Sequence, residues 1–257
     1  MPAINRTPKD AVDPRPLHER IATELRREIF DRTLKPGQDL PSTEKLKTRF
    51  EASNASIQKA VALLKQAGLV EGRPGSSITV LPFRRHTLVP ASFSKPAEAG
   101  RPYRWITEAQ ARGKAPKIQI LDVAEVKPPT DIAEILGLDG DGAALLRKQL
   151  LSLDDEPCEV VCNYYPLELA LGTAMMGRAR IKGGTPTLLT ELGYPPLRTV
   201  DLVTAEEATV EEYELLQLPR QIPVLRTLRA VLSHDDRPIE ATTMVKASHL
   251  YGLQYEF

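Results

Sequence analysis

The sequence predicts an α+β chain in two parts, and three observations predict it. First, 34 Lys+Arg balance 34 Asp+Glu over 257 residues, yet residues 1–85 carry a net charge of +6 and residues 86–257 a net charge of −6. Second, the N-terminal third reads as three short amphipathic helices followed by a hairpin. Third, the remainder alternates helices and strands, and one unit of helix, strand, turn and strand occurs in it twice. With 42% hydrophobic residues, a chain of this length has enough apolar surface to bury two ordinary cores. A neutral total argues against a nucleic-acid partner until the charge is located; a basic third beside an acidic remainder points to an anionic partner for the basic piece.

Several classes are set aside at once. No apolar run reaches the roughly 18 residues of a membrane-spanning helix. The opening MPAINRTPKDAVDPRP lacks the apolar core of a signal peptide, and residues 1–15 read as a disordered arm. Cys158 and Cys162 lie four apart in a strand-like run, which separates their Cα atoms by about 13 Å, beyond disulfide reach. Reduced thiols and a cytoplasmic location are the expectation. His18, His86, His234 and His249 are scattered, without zinc-ligand spacing. No nucleophile–base pair, metal spacing or phosphate loop appears, since Gly183-Gly184 lacks the rest of such a loop. The expectation is therefore a protein without cofactor or enzymatic activity.

In chain order, Leu17, Ile21, Leu25 and Ile29 recur every four residues, with Ala22 beside them, and define the apolar face of a first helix. Lys35-Pro36-Gly37 ends it in a turn. Ser42 is a good N-cap for a second helix that buries Leu46 and Phe50. Ser53 caps a third, with Ile57, Ala60, Val61 and Leu64 inward and Gly68 as its stop. Leu69-Val70 and Ile78–Val80 then flank Gly72-Arg73-Pro74-Gly75-Ser76, a hairpin with a basic tip. Three helices and a hairpin describe a winged helix-turn-helix, in which the third helix enters the major groove. Its outward positions are Asn54, Ala55, Ser56, Gln58 and Lys59; Asn and Gln pair bidentately with adenine, and Ser and Lys meet bases or phosphates. Ser42 and Ser53, at helix starts with free amides, suit phosphates, and Arg73 suits a phosphate or a minor groove. The same pattern also fits a helical domain whose third helix packs on a partner protein.

The run Leu34-Lys35-Pro36-Gly37-Gln38-Asp39-Leu40-Pro41-Ser42 resembles the segment joining the first two helices of GntR-type bacterial repressors. Lys45-Leu46, Phe50, Ser53–Leu64, Gln66-Ala67-Gly68-Leu69-Val70 and the wing follow at matching distances. The resemblance covers residues 16–81 and implies binding to double-stranded operator DNA through Ser42, Lys45, Arg49, Ser53, Asn54, Ser56, Gln58, Lys59, Arg73 and Ser76. Four positions depart from the family's pattern. Glu44 stands where helix two usually has Arg, Asn54 and Gln58 replace two recognition-helix arginines, and Ser77 replaces a wing glycine. Each lost guanidinium removes a guanine-type contact of about 1–3 kcal/mol, which implies an altered operator.

Residues 82–102 are polar and proline-containing, suited to a linker. Beyond them, Lys117–Lys127 reads as a strand, and Thr130 as the cap of a helix ending near Gly137. Ala143–Leu153 and Cys158–Tyr165 read as strands around Asp154-Asp155-Glu156-Pro157. Leu167–Met176 and Thr187–Leu192 read as helices, and Leu197–Ala205 as a strand. Thr209-Val210-Glu211-Glu212 is a capping box opening a helix to about Leu216. Val224–Ser233 and Ile239–Lys246 are strands around Asp235-Asp236-Arg237-Pro238. The run from Thr130 to Asp154-Asp155-Glu156-Pro157-Cys158-Glu159 parallels the run from Thr209 to Asp235-Asp236-Arg237-Pro238-Ile239-Glu240, about 80 residues later. Such a repeat builds one antiparallel sheet with helices on one side and a cleft between the repeats.

This order and spacing resemble, over roughly residues 85–250, the UTRA effector domain of HutC-like GntR regulators, which shares the chorismate-lyase fold; the domain itself is assigned to residues 103–257. The resemblance implies a small-molecule effector and a homodimer. It places Arg147 at the first arginine of the family's Arg-x-Arg strand and Gln149 at the second, which puts a phosphorylated ligand in doubt. Glu159 and Glu240 match acidic positions that accept hydroxyls or an amine, and Thr185 or Thr187 falls where the family has a ligand-contacting serine. Tyr165 and Lys246 stand at strand ends facing the expected cleft. The expectation is a repressor on a pseudo-palindromic operator, modulated by a metabolite. The alternative is a constitutive DNA-binding repressor of plasmid-transfer type, whose second domain only dimerises.

Overall fold

The computed structural model describes residues 13–72, 77–82, 86–88, 95–98, 100–219 and 222–254. The expected arm therefore lies largely outside the described residues, as do Arg73 and Ser76 of the wing. The chain divides into two compact units, 1–84 with 219–221, and 85–218 with 222–257.

In the first unit, α1 (Leu17–Phe30) buries Ile21, Ala22, Leu25 and Ile29 as its spacing demands, while Leu17 at its first turn stays exposed. Helix α2 (Thr43–Phe50) opens on Ser42, whose hydroxyl accepts the Lys45 amide at 3.4 Å. Helix α3 (Asn54–Gln66) opens on Ser53, whose hydroxyl accepts the Ser56 amide at 3.2 Å. Caps of this kind stabilise a helix start by about 1 kcal/mol. Ile57, Ala60, Val61 and Leu64 pack inward, and Gly68 ends the helix with φ 65°. The wing pairs β1 (Val70–Glu71) with β2 (Thr79–Val80). Gly72 is obligatory there, because a Cβ would stand 2.7 Å from the Ser77 carbonyl oxygen. The turn at Lys35–Gly37 does more than end α1. It lays residues 37–40 along β2, with Val80 N donating to Gln38 O at 2.8 Å and an Asp39–Thr79 bridge.

The second unit holds a six-stranded antiparallel sheet. Its strands are β4 (Pro116–Val126), β5 (Ala144–Leu153), β6 (Glu156–Pro166), β7 (Arg198–Glu206), β8 (Val224–Leu232) and β9 (Pro238–Ala247), in the order β4-β5-β6-β9-β8-β7. The two sequence repeats are thus two three-stranded halves joined by β6 and β9, with Val161 opposite Met244. Both hairpins turn on an Asp-Asp pair in the left-handed region, with φ of 54° and 64° at 154–155 and 55° and 53° at 235–236. Both carry a bulge just before that turn, at Leu151/Ser152 and at Val231/Leu232.

Each repeat's helix lies on one face. There α5 (Thr130–Leu136) buries Ile132 and Leu136 against Ala144, Tyr164 and Ala241. On the same side α8 (Val210–Leu215) is tied to the sheet by Lys148–Glu211 and by Arg226–Glu212 at 3.0 Å. The capping box at Thr209 and Glu212 is present in full. The expected one-sided helix layer is nevertheless incomplete. Helix α4 (Arg104–Ala111), α6 (Leu167–Ala170) and α7 (Thr185–Glu191) cover the other face, burying Trp105, Leu169 and Leu189. Arg147, Leu151, Val161 and Val231, of opposite strand parity to Ala144 and Tyr164, point to this side and form its floor.

Smaller expectations also need correcting. Thr130 lies inside α5, and the capping position is Pro129, without a side-chain cap bond. The expected helix 167–176 breaks after Ala170 and resumes as a 3-10 turn at Ala174–Met176, because Gly172 takes φ 74°. Within the expected linker, β3 (His86–Leu88) pairs in parallel with β10 (Tyr251–Leu253) and so belongs to the second unit. Cys158 and Cys162 are free, and no described helix is long and apolar enough to cross a membrane.

Candidate nucleic-acid interface and ligand cavity

Helix α3 presents one solvated face. Ser53, Asn54, Ala55, Gln58 and Lys59 are exposed and Ser56 is half-buried, while Ile57, Ala60 and Val61 anchor the helix from behind. Its cap residues are mutually held, with the Ser53 and Ser56 hydroxyls 3.0 Å apart. The first turn contains no acidic residue, so its free amides and the positive end of the helix dipole face outward unopposed. In α2, Lys45 is exposed. Arg49 is engaged instead: its guanidinium binds the Glu28 carboxylate of α1 and lies 4.7 Å from the centre of the Phe50 ring. Glu44 pairs with Lys47 at 3.0 Å, so the acidic side chain in helix two is neutralised within its own helix. Behind the wing, Lys65 Nζ donates to the Gly72 carbonyl at 2.6 Å, which ties α3 to the start of the hairpin.

The second unit contains a cavity of about 100 Å³ on the face covered by α4 and α7. Its apolar lining includes Trp105, Ile118, Ile120, Val161, Pro186 and Met244, and its polar lining includes Arg147, Gln149, Glu159, Asn163, Thr185, Arg229, Glu240 and Thr242. Of the eight side chains singled out from sequence, five therefore converge on it: Arg147, Gln149, Glu159, Thr185 and Glu240. The other three stand behind its wall. Tyr165 is fully buried and its hydroxyl donates to Thr185 Oγ1 at 2.9 Å. Thr187 faces away, donating to the Gly183 carbonyl at 3.0 Å and accepting the Ala97 amide at 3.0 Å. Lys246 is spent on Glu159, at 3.0 Å with both side chains buried.

Arg147 does not act as the clamp its strand position implies. Its terminal nitrogens donate to the carbonyls of Met175, Gly177 (2.5 Å) and Ala179 (3.1 Å), fastening the segment after α6 to the sheet. Only its Nε is left buried without a partner. Burial lowers its pKa from the usual arginine value, as expected for a guanidinium matched by carbonyl dipoles instead of a carboxylate. Arg229 on β8 forms two 2.7 Å bonds to Asp201 of β7. Thr242 donates to Glu240 at 2.7 Å and lies 3.1 Å from Asn163 Oδ1. Burial raises the pKa of Glu240, against the opposing effects of Thr242, Arg229 and Tyr165.

Arg229, Asn163, Thr242 and Trp105 are absent from the sequence-derived set. Strand parity carries the signal for three of them. On β6 the polar residues 159 and 163 share a face, as do 240 and 242 on β9, and buried polar side chains at that spacing mark a lined pocket. Trp105 comes from α4, which repeats nothing and precedes β4, the first strand of the six-stranded sheet.

A winged helix with an exposed polar recognition face free of acidic residues, joined in one chain to a cavity-bearing receptor fold, defines a DNA-binding transcriptional regulator. The family comparisons agree. Residues 17–80 match the model for bacterial regulatory proteins of the gntR family, and residues 111–251 match the UTRA domain. The chain belongs to the GntR family and carries a UTRA domain. It is 24% identical over 247 residues to the HTH-type transcriptional regulator GgaR of Escherichia coli (strain K12), covering 94% of this chain and 91% of that one. It is 31% identical over 159 residues to the HTH-type transcriptional regulator Mce2R of Mycobacterium tuberculosis, covering 60% and 59%. Among solved structures, a GntR-family transcriptional regulator matches with TM-score 0.62 at 21% identity, over 95% of this chain and 98% of that one. PhnF from Mycobacterium smegmatis matches with TM-score 0.55 at 19% identity, over 92% and 98%. Regulators of this kind bind operator DNA, UTRA domains bind small molecules, and the relatives are regulators, not enzymes.

Proposed function

We propose that this chain is a cytoplasmic, homodimeric repressor whose affinity for a pseudo-palindromic operator is set by a small molecule in the UTRA cavity. The observation that carries the reading is the pairing, in one chain, of an unobstructed α3 face with a cavity whose walls are apolar and whose floor holds buried polar groups. In this reading residues 16–81 form the DNA-binding domain, 82–102 the linker and 103–257 the effector and dimerisation domain. Asn54 and Gln58 read bases; Ser42, Lys45, Ser53, Ser56, Lys59, Arg73 and Ser76 hold phosphates; Arg49 supports α2 through Glu28. A dimer sets two α3 helices on half-sites about 10 base pairs apart.

The partner surface in this reading is β7. It is a sheet edge of nine residues in which Val200 and Leu202 are exposed, and its pairing with β8 runs without a bulge. Unprotected edges of this kind pair with further strands. Antiparallel self-pairing centred on Leu202 sets the half-exposed Arg198 of each copy opposite Glu206 of the other, an arrangement of opposite charges.

A second reading, a constitutive repressor whose UTRA domain only dimerises, draws on one observation. Arg147 and Lys246 are both committed to partners within the chain. The experiment that tests the DNA reading is operator selection with the full chain, followed by binding at several salt concentrations. Asn54→Ala and Gln58→Ala each lose about 1–3 kcal/mol on the selected sequence and relax its preference at one position. Lys59→Ala weakens binding to all DNA alike and lowers the salt slope by about 1. Failure to select any sequence contradicts the reading.

A further inference from the structure

Among the described residues, Glu240 is the buried carboxylate at the cavity without an ion-pair partner, and Arg229 acts on it from beyond salt-bridge distance. Lys246 neutralises Glu159 and Asp201 holds Arg229 through two bonds. Arg147 spends three of its five N–H groups on carbonyls, and its Nε is buried without a partner. Glu240 is more than nine-tenths buried and lines the same cavity, and among the described residues no lysine or arginine nitrogen lies within 4.0 Å of its carboxylate. Its carboxylate accepts the Thr242 hydroxyl at 2.7 Å, with the Tyr165 hydroxyl beside it. A buried carboxylate without a cation is costly, and the cost is relieved by a partner that is itself held in place.

The walls argue about the rest of the ligand. Trp105 from α4, Ile118 and Ile120 from β4, Val161 from β6, Met244 from β9 and Pro186 from α7 offer hydrocarbon. We infer that the cavity takes a compact, largely apolar molecule bearing one amine, seated with its ammonium on Glu240 and its hydrocarbon against the apolar wall beside it, Val231 and Pro186 included. This rests on the reading of the cavity as the ligand site.

A phosphate fits these walls poorly. It needs several convergent donors, whereas Arg147 has three of its five N–H groups committed to carbonyls and Gln149 supplies no charge. Arg180 lines the mouth but is exposed, where water screens it. A dianion would also stand beside Glu240. Repulsion between the bound ammonium and Arg147 is small. Arg147, Asn163 and Thr242 stand opposite one another across β5, β6 and β9, and Glu240 lies two residues further along β9. Strand spacing and rise then separate the Arg147 and Glu240 Cα atoms by about 12 Å.

Trp105 is the chain's one tryptophan, so its emission reports on this cavity alone. The full chain is titrated with cyclohexylmethylamine, cyclohexylmethanol, cyclohexanecarboxylate and inorganic phosphate. The amine shifts Trp105 emission and binds at least tenfold more tightly than the carboxylate or phosphate. Glu240→Gln, with a melting curve to verify folding, lowers the amine's affinity at least tenfold and leaves the alcohol's unchanged. Tighter binding of the carboxylate or phosphate, survival of the amine preference in Glu240→Gln, or no response to any of the four overturns the inference. Operator affinity measured alongside separates this from the effector reading. An amine that binds as stated without moving operator affinity defeats the effector reading alone, and a phosphate that binds and moves it defeats this inference alone.

Discussion

Single side chains in this protein are decided by what sits opposite them, and the sequence shows that only when the partner is another side chain in a repeated pattern. Arg147 has the strand position of a ligand clamp, but its guanidinium is used by carbonyls 28, 30 and 32 residues further on, in a segment without regular pattern. Glu159 and Lys246 are both legible as polar residues on inward strand positions. Their pairing is visible only once β6 and β9 are aligned, with the two directly opposite. His249 belongs to the same scale. It is largely buried, its Nδ1 lacks a partner, and burial holds its pKa down at about 4. An imidazole that stays neutral in the folded state but charges at about 6.5 when unfolded penalises folding as pH falls through that window. The melting temperature of His249→Leu, compared with that of the unaltered chain between pH 7 and 4.5, should therefore fall less on acidification. An equal fall in both would show that the imidazole carries no such penalty.

At the scale of elements, the sequence is most readable where local chemistry and packing agree. The capping serines at 42 and 53, the Thr209 capping box and the two Asp-Asp turns all stand where their residue types demand. The repeat of helix, strand, turn and strand becomes two equivalent half-sheets because each unit buries only one side of its own strands and needs the other half to complete the sheet. Of the elements that cover the opposite face, α7 stands where the sequence indicates a helix, whereas α4 and the break at Gly172 carry no comparable signal. Helix α4, the broken segment 167–176 and β3 lie outside the repeat, and β3 is held by a parallel partner some 165 residues away in sequence. Edge strand β7 carries the element-scale prediction. Leu202 sits at the centre of the proposed self-pairing, so Leu202→Cys should form an intermolecular disulfide under mild oxidation, whereas Val210→Cys, exposed on α8, should not. Leu202→Lys places like charges against each other and should shift the chain toward monomer in sedimentation. A dimer untouched by Leu202→Lys and uncrosslinked by Leu202→Cys would place the interface elsewhere.

Over the whole molecule, the neutral total charge conceals a division of labour. The basic third carries a helix whose outward face has cationic and amide side chains but no acid in its first turn, and the acidic remainder carries the cavity. Two such units amount to a ligand-controlled regulator only if occupancy of the cavity and occupancy of the operator site are thermodynamically coupled. A ligand that binds both DNA-competent and DNA-incompetent states equally shifts nothing. Coupling of about 1–3 kcal/mol corresponds to a 5–150-fold change and must be reciprocal. The most direct measurement follows Trp105 emission and operator anisotropy in the same titration, across a panel of metabolites and the cyclohexyl probes, with and without saturating operator. Every compound that moves Trp105 emission should change operator affinity at least fivefold, and the operator should change that compound's affinity by the same factor. Compounds that fill the cavity while operator affinity stays constant would contradict the account and leave a DNA-binding protein whose second unit serves assembly alone.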